Sequence, residues 1–421
     1  MKILFAIHQF YPETNSGTER FLLNLATSLQ RTGHRADIVT YSFENKSLFR
    51  RSGDLLVREY TYKNLFVTAI THLRVPFDLN TSPNDPGIVE LARNMLASRD
   101  YDLLHVAHPM RVAGFALAAA QLGVPYVLTL TDFWSICPKI TLSSSFDILC
   151  TGPEGGSVCA QLCPELNSMS VRSRLLALRE ILVQARAVVF PSHFAASMVQ
   201  KEFTDLPVNV VPHGVQAADL ERPGNMREAG GQIVFGYCGG LSRHKGVHLL
   251  VRAFRSLEAA DAELRIYGAA LEPDKDYERA LHKMAEGDKR IKFCGSYKQE
   301  DVSRVFRDLD LLVIPSLWYE TYSFILHEAF ASKVPVIASN TGVLAAKITD
   351  LVTGLTFPLG DETGLARKLE QVIEEPSVLS VIKKNIGNFD RPLPEEEAYS
   401  YERIYIEAIR DRASAGTRFS P

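Results

Sequence analysis

Nowhere in the 421 residues do about 18 apolar residues follow one another, so the sequence offers no membrane-spanning helix. Charge of one sign is also lacking. The net charge is −3, no like-charge block stands out, and nucleic acid is not an expected partner. No low-complexity tract or short repeat interrupts the chain. Neither G-x-G-x-x-G nor a P-loop pattern occurs, which argues against a nicotinamide dehydrogenase and a Walker-type ATPase. The opening MKILFAIHQF has a short apolar run cut by His8 and Gln9, with no small-residue cleavage site. It reads as a first buried strand rather than an export signal, and a cytoplasmic protein is expected.

What is present fits a globular protein of two cores. The hydrophobic fraction of 46% and charged fraction of 23% are ordinary, and the length exceeds one core. Residues 1–215 alternate apolar runs (3–7, 36–41, 103–107, 125–130, 187–191, 208–212) with helix-like segments such as 18–31, 111–122 and 171–185. Strands alternating with crossover helices predict an α/β fold with a doubly wound parallel sheet, a Rossmann-like domain. Residues 215–231 lose periodicity and gain Pro, Gly and charge, as a linker does. A second series then begins at 233–238 and continues at 263–268, 291–295, 310–315, 334–339 and 354–358. We therefore expect a first domain over 1–215, a second over 216–390, and a helical segment over 391–421 that crosses back to the first domain or packs on the second. Two such folds facing each other would create a cleft, and ligands of open α/β sheets lie beyond the carboxyl ends of the strands.

Three loops at strand ends carry candidate chemistry. The stretch IPSLWYETYSFILHE, 314–328, reads as a strand end, a loop with Glu320, and a helix opening near Ser323 that contains Glu328. Unpaired N–H groups at a helix start suit a phosphate. In GGLSRHKGVHLL, 239–250, Gly239 and Gly240 permit close approach while Arg243, His244 and Lys245 supply donors for a diphosphate. In YPETNSGTER, 11–20, Gly17 and Thr18 open the first helix. The D-x-D pairs at Asp100/Asp102 and Asp308/Asp310 each precede a buried run and read as polar strand entries, not metal sites.

With these residues in view, the sequence resembles a retaining glycosyltransferase of the GT-B architecture, glycosyltransferase family 4. The similarity rests on Glu320 and Glu328 seven residues apart, the preceding VIPS, the following EAFASKVPVIAS, GGLSRHKG, VPHGV at 211–215 and the Gly17 loop. The resemblance implies two facing Rossmann-like domains, the first for an acceptor and the second for a nucleotide-sugar donor. It implies that Glu328 holds the ribose, that Glu320 acts beside the transferred sugar, and that Lys245 and Arg243 hold the diphosphate as it leaves. Gly17, Gly240, Tyr322, Ser323 and Phe324 would line the substrate, Tyr297 would lie near the base, and no metal would be required for catalysis. The sequence departs from the pattern at Ser16-Gly17, at Gly240 where relatives often carry arginine, and at Thr131 where many carry histidine. His108 is a substitute for the last by position.

Four cysteines, Cys137, Cys150, Cys159 and Cys163, crowd an insert at 133–168 with 12, 8 and 3 residues between them. They suit a structural zinc, or less readily an iron–sulfur cluster; disulfides and free thiols are the alternatives. The 171–185 helix mixes arginines with leucines and suits either a packed helix or peripheral contact with an anionic membrane. The expected activity is transfer of a hexose-type sugar from a nucleoside diphosphate sugar, UDP-linked by preference, to a saccharide or lipid-linked hydroxyl with retention. A lipid-linked acceptor would bring the protein to the inner face of the membrane. The rival readings are a GT-B nucleotide-sugar epimerase and a non-catalytic nucleotide-sugar-binding protein.

Overall fold

The structure, a computed structural model, describes the backbone of residues 1–416 apart from 147, 217–230, 259, 260, 273, 388 and 390; side-chain description ends at residue 410. The expected linker falls almost wholly outside these residues. The chain divides into two compact units, residues 1–214 with 392–421, and residues 215–391.

The first unit is built on nine described strands: β1 (Lys2–Ile7), β2 (Arg35–Tyr41), β3 (Arg50–Ser52), β4 (Leu55–Tyr62), β5 (Leu65–His72), β6 (Leu103–Val106), β7 (Tyr126–Thr129), β8 (Ala187–Phe190) and β9 (Asn209–Val210). Their order is β3-β4-β5-β2-β1-β6-β7-β8-β9. Residues 3–7 of β1 are all buried, because a parallel strand covered by helices on both faces has no solvent side. The sheet is not purely parallel, as the sequence suggested. β3 and β4 pair antiparallel, as do β4 and β5. Lys63 and Asn64 take left-handed φ of 46° and 65°, the two-residue turn that suits a twisted hairpin. β4 hides from an apolar-run reading because REYTY alternates half-buried with exposed positions.

The helix Pro394–Gly416 belongs to this unit by contact as well as by clustering. Tyr401 and Tyr405 are fully buried, with Tyr405 Oη 2.6 Å from His105 Nδ1 and Tyr401 Oη 2.8 Å from Thr129 Oγ1. At the helix start the Glu397 carboxylate meets His213 Nδ1 at 2.9 Å and accepts from Gly214 N at 2.8 Å. The VPHGV motif is thus held by the C-terminal helix.

The second unit has six described strands, all parallel: β10 (Ile233–Cys238), β11 (Ala262–Tyr267), β12 (Ile291–Gly295), β13 (Leu311–Ile314), β14 (Val336–Ser339) and β15 (Leu355–Phe357). The order β12-β11-β10-β13-β14-β15 reverses direction between β10 and β13. Such a reversal sends the two following loops apart and opens a crevice at the carboxyl edge. Both D-x-D pairs clamp strand entries: Asp310 accepts from Val234 N at 2.8 Å, and Asp102 accepts from Lys2 N at 2.7 Å.

Candidate functional site

The two loops leaving β10 and β13 at the reversal are GGLSRHKG and PSLWYETYS, and they meet. Leu317 N donates to His244 O at 2.8 Å. Gly246 sits at φ 71°, and a Cβ there would fall 1.9 Å from Pro315 O, so only glycine permits this approach. Gly240 is exposed, with nothing within 4 Å of its Cβ direction.

Their contact is centred on Glu320. Its Oε1 accepts from Lys245 Nζ at 2.8 Å, Ser316 Oγ at 2.8 Å and Trp318 Nε1 at 2.9 Å. Burial alone would raise this carboxyl, but Lys245 and the three hydrogen bonds outweigh it and hold it below its ordinary value. Lys245 also lies 4.8 Å from the Trp318 ring centroid, so indole and carboxylate together fix the ammonium. His244, packed 4.6 Å from the same indole, is pushed down to about 4 by burial and then by Lys245. Lys245 therefore supplies the charge while its histidine neighbour stays neutral. Arg243 is exposed beside it. Ser316 and Trp318 were missed in the sequence, although both lie inside the loop already singled out.

Beyond Glu320 the chain turns through Ser323, a non-glycine residue at φ 65°, into the helix Phe324–Ala331. Ser323 does not cap this helix, and its buried Oγ has no partner. A strained residue at a helix start, with an unused hydroxyl and first-turn N–H groups, is an arrangement suited to an anion. Tyr322 is buried and stacks on His327 at 4.1 Å, bracing the turn from beneath; Phe324 packs 5.2 Å from Tyr322. Glu328, 2% exposed, accepts from Gln299 Nε2 at 2.6 Å. Gln299 arrives from the loop after β12, which also carries Tyr297, half-buried and 6.3 Å from the Tyr267 ring.

Gly17, His108 and Thr131 lie in the first unit, on loops at the carboxyl ends of β1, β6 and β7. Gly17 opens the helix Gly17–Arg31 behind Ser16, which does not cap the helix with its side chain; its hydroxyl donates to the Glu19 carboxylate instead. Thr131 and Thr18 share a hydrogen bond of 2.9 Å. His108 is buried, with Nε2 2.7 Å from Asp132 Oδ2 and its ring 4.1 Å from His8. His8 Nε2 lies 3.5 Å from Glu19, and its buried Nδ1 has no partner. Burial raises the Glu19 carboxyl and lowers His8. The sequence reading missed His8, Glu19 and Asp132. Asp132 directly follows Thr131, and a buried glutamate at the third helical position was the available signal.

In the insert, the expected zinc grouping is not formed. All four cysteines are free thiols, and among the described residues no three His, Cys, Asp or Glu side chains are placed to hold a metal ion. Cys137, Cys150 and Cys159 are raised above the ordinary thiol value, by burial first and then by neighbouring cysteines. The residues as arranged do not fit the ion. The following helix, Ser168–Gln184, turns Leu175, Leu178 and Leu182 inward. Arg174 is not surface charge but a buried staple, donating to Thr81 O and Trp134 O and stacking on Trp134 at 4.4 Å.

Comparison with known proteins follows the same division. Residues 15–219 match the family described as Glycosyltransferase Family 4, and residues 221–388 match Glycosyl transferases group 1. The chain is 23% identical to O-antigen chain mannosyltransferase C of Escherichia coli over 88% of each protein. It is 24% identical to glycogen synthase of Mycobacterium tuberculosis over 90% of this chain and 87% of that one. The fold is similar to the crystal structure of Anabaena HepE in complex with UDP and glucose, with a TM-score of 0.66, 18% identity and full coverage of both chains.

Proposed function

The chain belongs to the glycosyltransferases, and on that premise we propose that it moves a hexose from a UDP-sugar to a hydroxyl of a saccharide or glycolipid, with retention at the anomeric carbon. The observation that carries this reading is the Lys245–Glu320 pair at the strand reversal, closed by Ser316 and Trp318. A diphosphate leaving the sugar gains negative charge, and Lys245 with Arg243 offsets it. Each charge-assisted hydrogen bond contributes about 1.5–3 kcal/mol, and the share that strengthens in the transition state speeds the reaction. The uncapped helix start at Ser323 and Phe324 adds main-chain donors to the same phosphates.

Glu328, oriented by Gln299, accepts from the ribose hydroxyls. Glu320 steers Lys245 and the sugar together. In a front-side substitution the bond from the anomeric carbon to the diphosphate breaks with its electron pair on the phosphate. The acceptor oxygen bonds the same face of that carbon and passes its proton to the departing phosphate. UDP is favoured over other donors by the HepE complex with UDP, and an acceptor in a surface polysaccharide or glycolipid by the mannosyltransferase relative. The acceptor is assigned to the first unit, where Thr131, His108 and Asp132 offer polar groups beside Gly17.

Glu320→Gln tests the reading. Transfer should fall by about a hundredfold or more, the scale of losing a group that stabilises developing charge. Nucleotide binding should persist, and undiminished turnover would remove Glu320 from the mechanism.

A further inference from the structure

Five exposed apolar side chains of the first unit are gathered on two loops. Phe43 and Leu48 follow β2, and Leu73, Val75 and Phe77 follow β5; all five are at least 46% exposed and Phe77 is fully exposed. β2 and β5 are neighbouring parallel strands, so both loops leave the same sheet edge. Lys46 Nζ donates to Leu73 O at 2.7 Å and ties one loop to the other. Isolated exposed apolar groups need no explanation, but a cluster of five on two fastened loops does.

The charges on these loops are mostly positive. Segments 42–51 and 73–77 contain Lys46, Arg50, Arg51 and Arg74 against a single acid, Glu44. Glu44 is already paired with Arg58, and Asp78, which comes next, is half-buried. Lys46, Arg51 and Arg74 have no acidic partner among the described residues. Apolar tips among unmatched cations complement a bilayer with anionic headgroups, where each tip enters the acyl boundary and each cation meets a phosphate. A soluble protein partner would leave this charge excess to be matched by acids of its own.

The lip also adjoins the polar cluster of this unit. Arg111 stacks over Phe43 at 4.7 Å and donates to His8 O at 3.4 Å, and His8 packs on His108. The helix Ser168–Gln184 presents Met169, Leu176 and Val183 with Arg172 and Arg179, but Arg179 is paired with Asp205 and Glu180 shares its exposed side. The paired lip is the stronger candidate.

We propose that the two loops 42–51 and 73–77 dock the protein on an anionic lipid surface. Docking itself stands on the loops alone; that it presents a lipid-linked acceptor to the first unit rests on the transferase reading. The test is flotation of the full chain with vesicles of phosphatidylcholine containing phosphatidylglycerol, without any donor. Wild type should float with the anionic vesicles, release at high salt, and bind pure phosphatidylcholine weakly. Leu48→Ser/Leu73→Ser/Phe77→Ser should weaken partition by about tenfold or more, as should Lys46→Glu/Arg74→Glu, with thermal stability and UDP affinity unchanged. Val381→Ser, an exposed apolar change in the other unit, is the control. Absence of wild-type flotation, or flotation that the triple variant keeps, would overturn the proposal. So would a concentration-dependent dimer in sedimentation that the triple variant abolishes, since the occupant would then be a second copy. Either result leaves transfer and UDP binding to be judged separately.

Discussion

Glu320 carries a consequence for acid stability. Its folded carboxyl titrates below the ordinary 4.5, so as pH falls the unfolded chain takes up this proton first. The stabilisation it brings is full above 4.5 and is lost as pH falls through the lower folded value. Comparing melting temperatures of wild type and Glu320→Gln along a pH series reads this directly: the gap should be widest near neutrality and shrink in acid. A gap that widens in acid would mean that Glu320 is not held as a carboxylate. Glu320 and Glu328 were legible in the sequence because their spacing falls across a loop and a helix start. Their partners were not. Ser316, Trp318 and Gln299 are ordinary residues by type; the first two reach Glu320 through the fold of their own loop, and Gln299 reaches Glu328 from the loop after β12.

At the scale of elements, the contact between the loops after β10 and β13 depends on one glycine more than another. Gly246 has left-handed φ and would drive a Cβ into Pro315 O, whereas Gly240 is open. Gly246→Ala should cost more than about 1 kcal/mol and displace Lys245, while Gly240→Ala should change stability by less than about 0.5 kcal/mol. Chemical denaturation and UDP titration of the two variants check the pair, and equal effects would contradict the geometry. Apolar runs revealed most strands because parallel strands are buried on both faces. The β4–β5 hairpin escaped because one side of β4 is wet. The cysteine insert gave the opposite lesson, since four suitable residues in a short span are not placed as a metal-holding group among the described residues. Elemental analysis of freshly reduced protein should find less than one zinc per chain, and stoichiometric zinc would mean that the insert rearranges around the ion.

For the whole chain, the C-terminal helix is integral to the first unit rather than an appendage. Its acidic start holds His213 and Gly214, and its tyrosines reach His105 and Thr129 beneath β6 and β7. Removing residues 392–421 should leave these groups unsatisfied and the full chain insoluble or molten by near-ultraviolet circular dichroism. Glu397→Ala should cost about 1.5–3 kcal/mol for each charge-assisted bond lost. The sequence showed an amphipathic helix here but gave no means of choosing its partner, because the choice rests on buried tyrosine hydroxyls that meet groups some 300 residues away.

In the proposed reaction the β10–β13 crevice holds a nucleoside diphosphate through Lys245 and the helix start, with the ribose on Glu328. Calorimetric titration of UDP, GDP, ADP and TDP into wild type, Lys245→Ala and Glu328→Gln measures it most directly. UDP should bind saturably and before the others, about tenfold or more weakly after either substitution, since each removes at least one charge-assisted bond. Failure of all four nucleotides to bind, or UDP affinity unchanged in both variants, would contradict it.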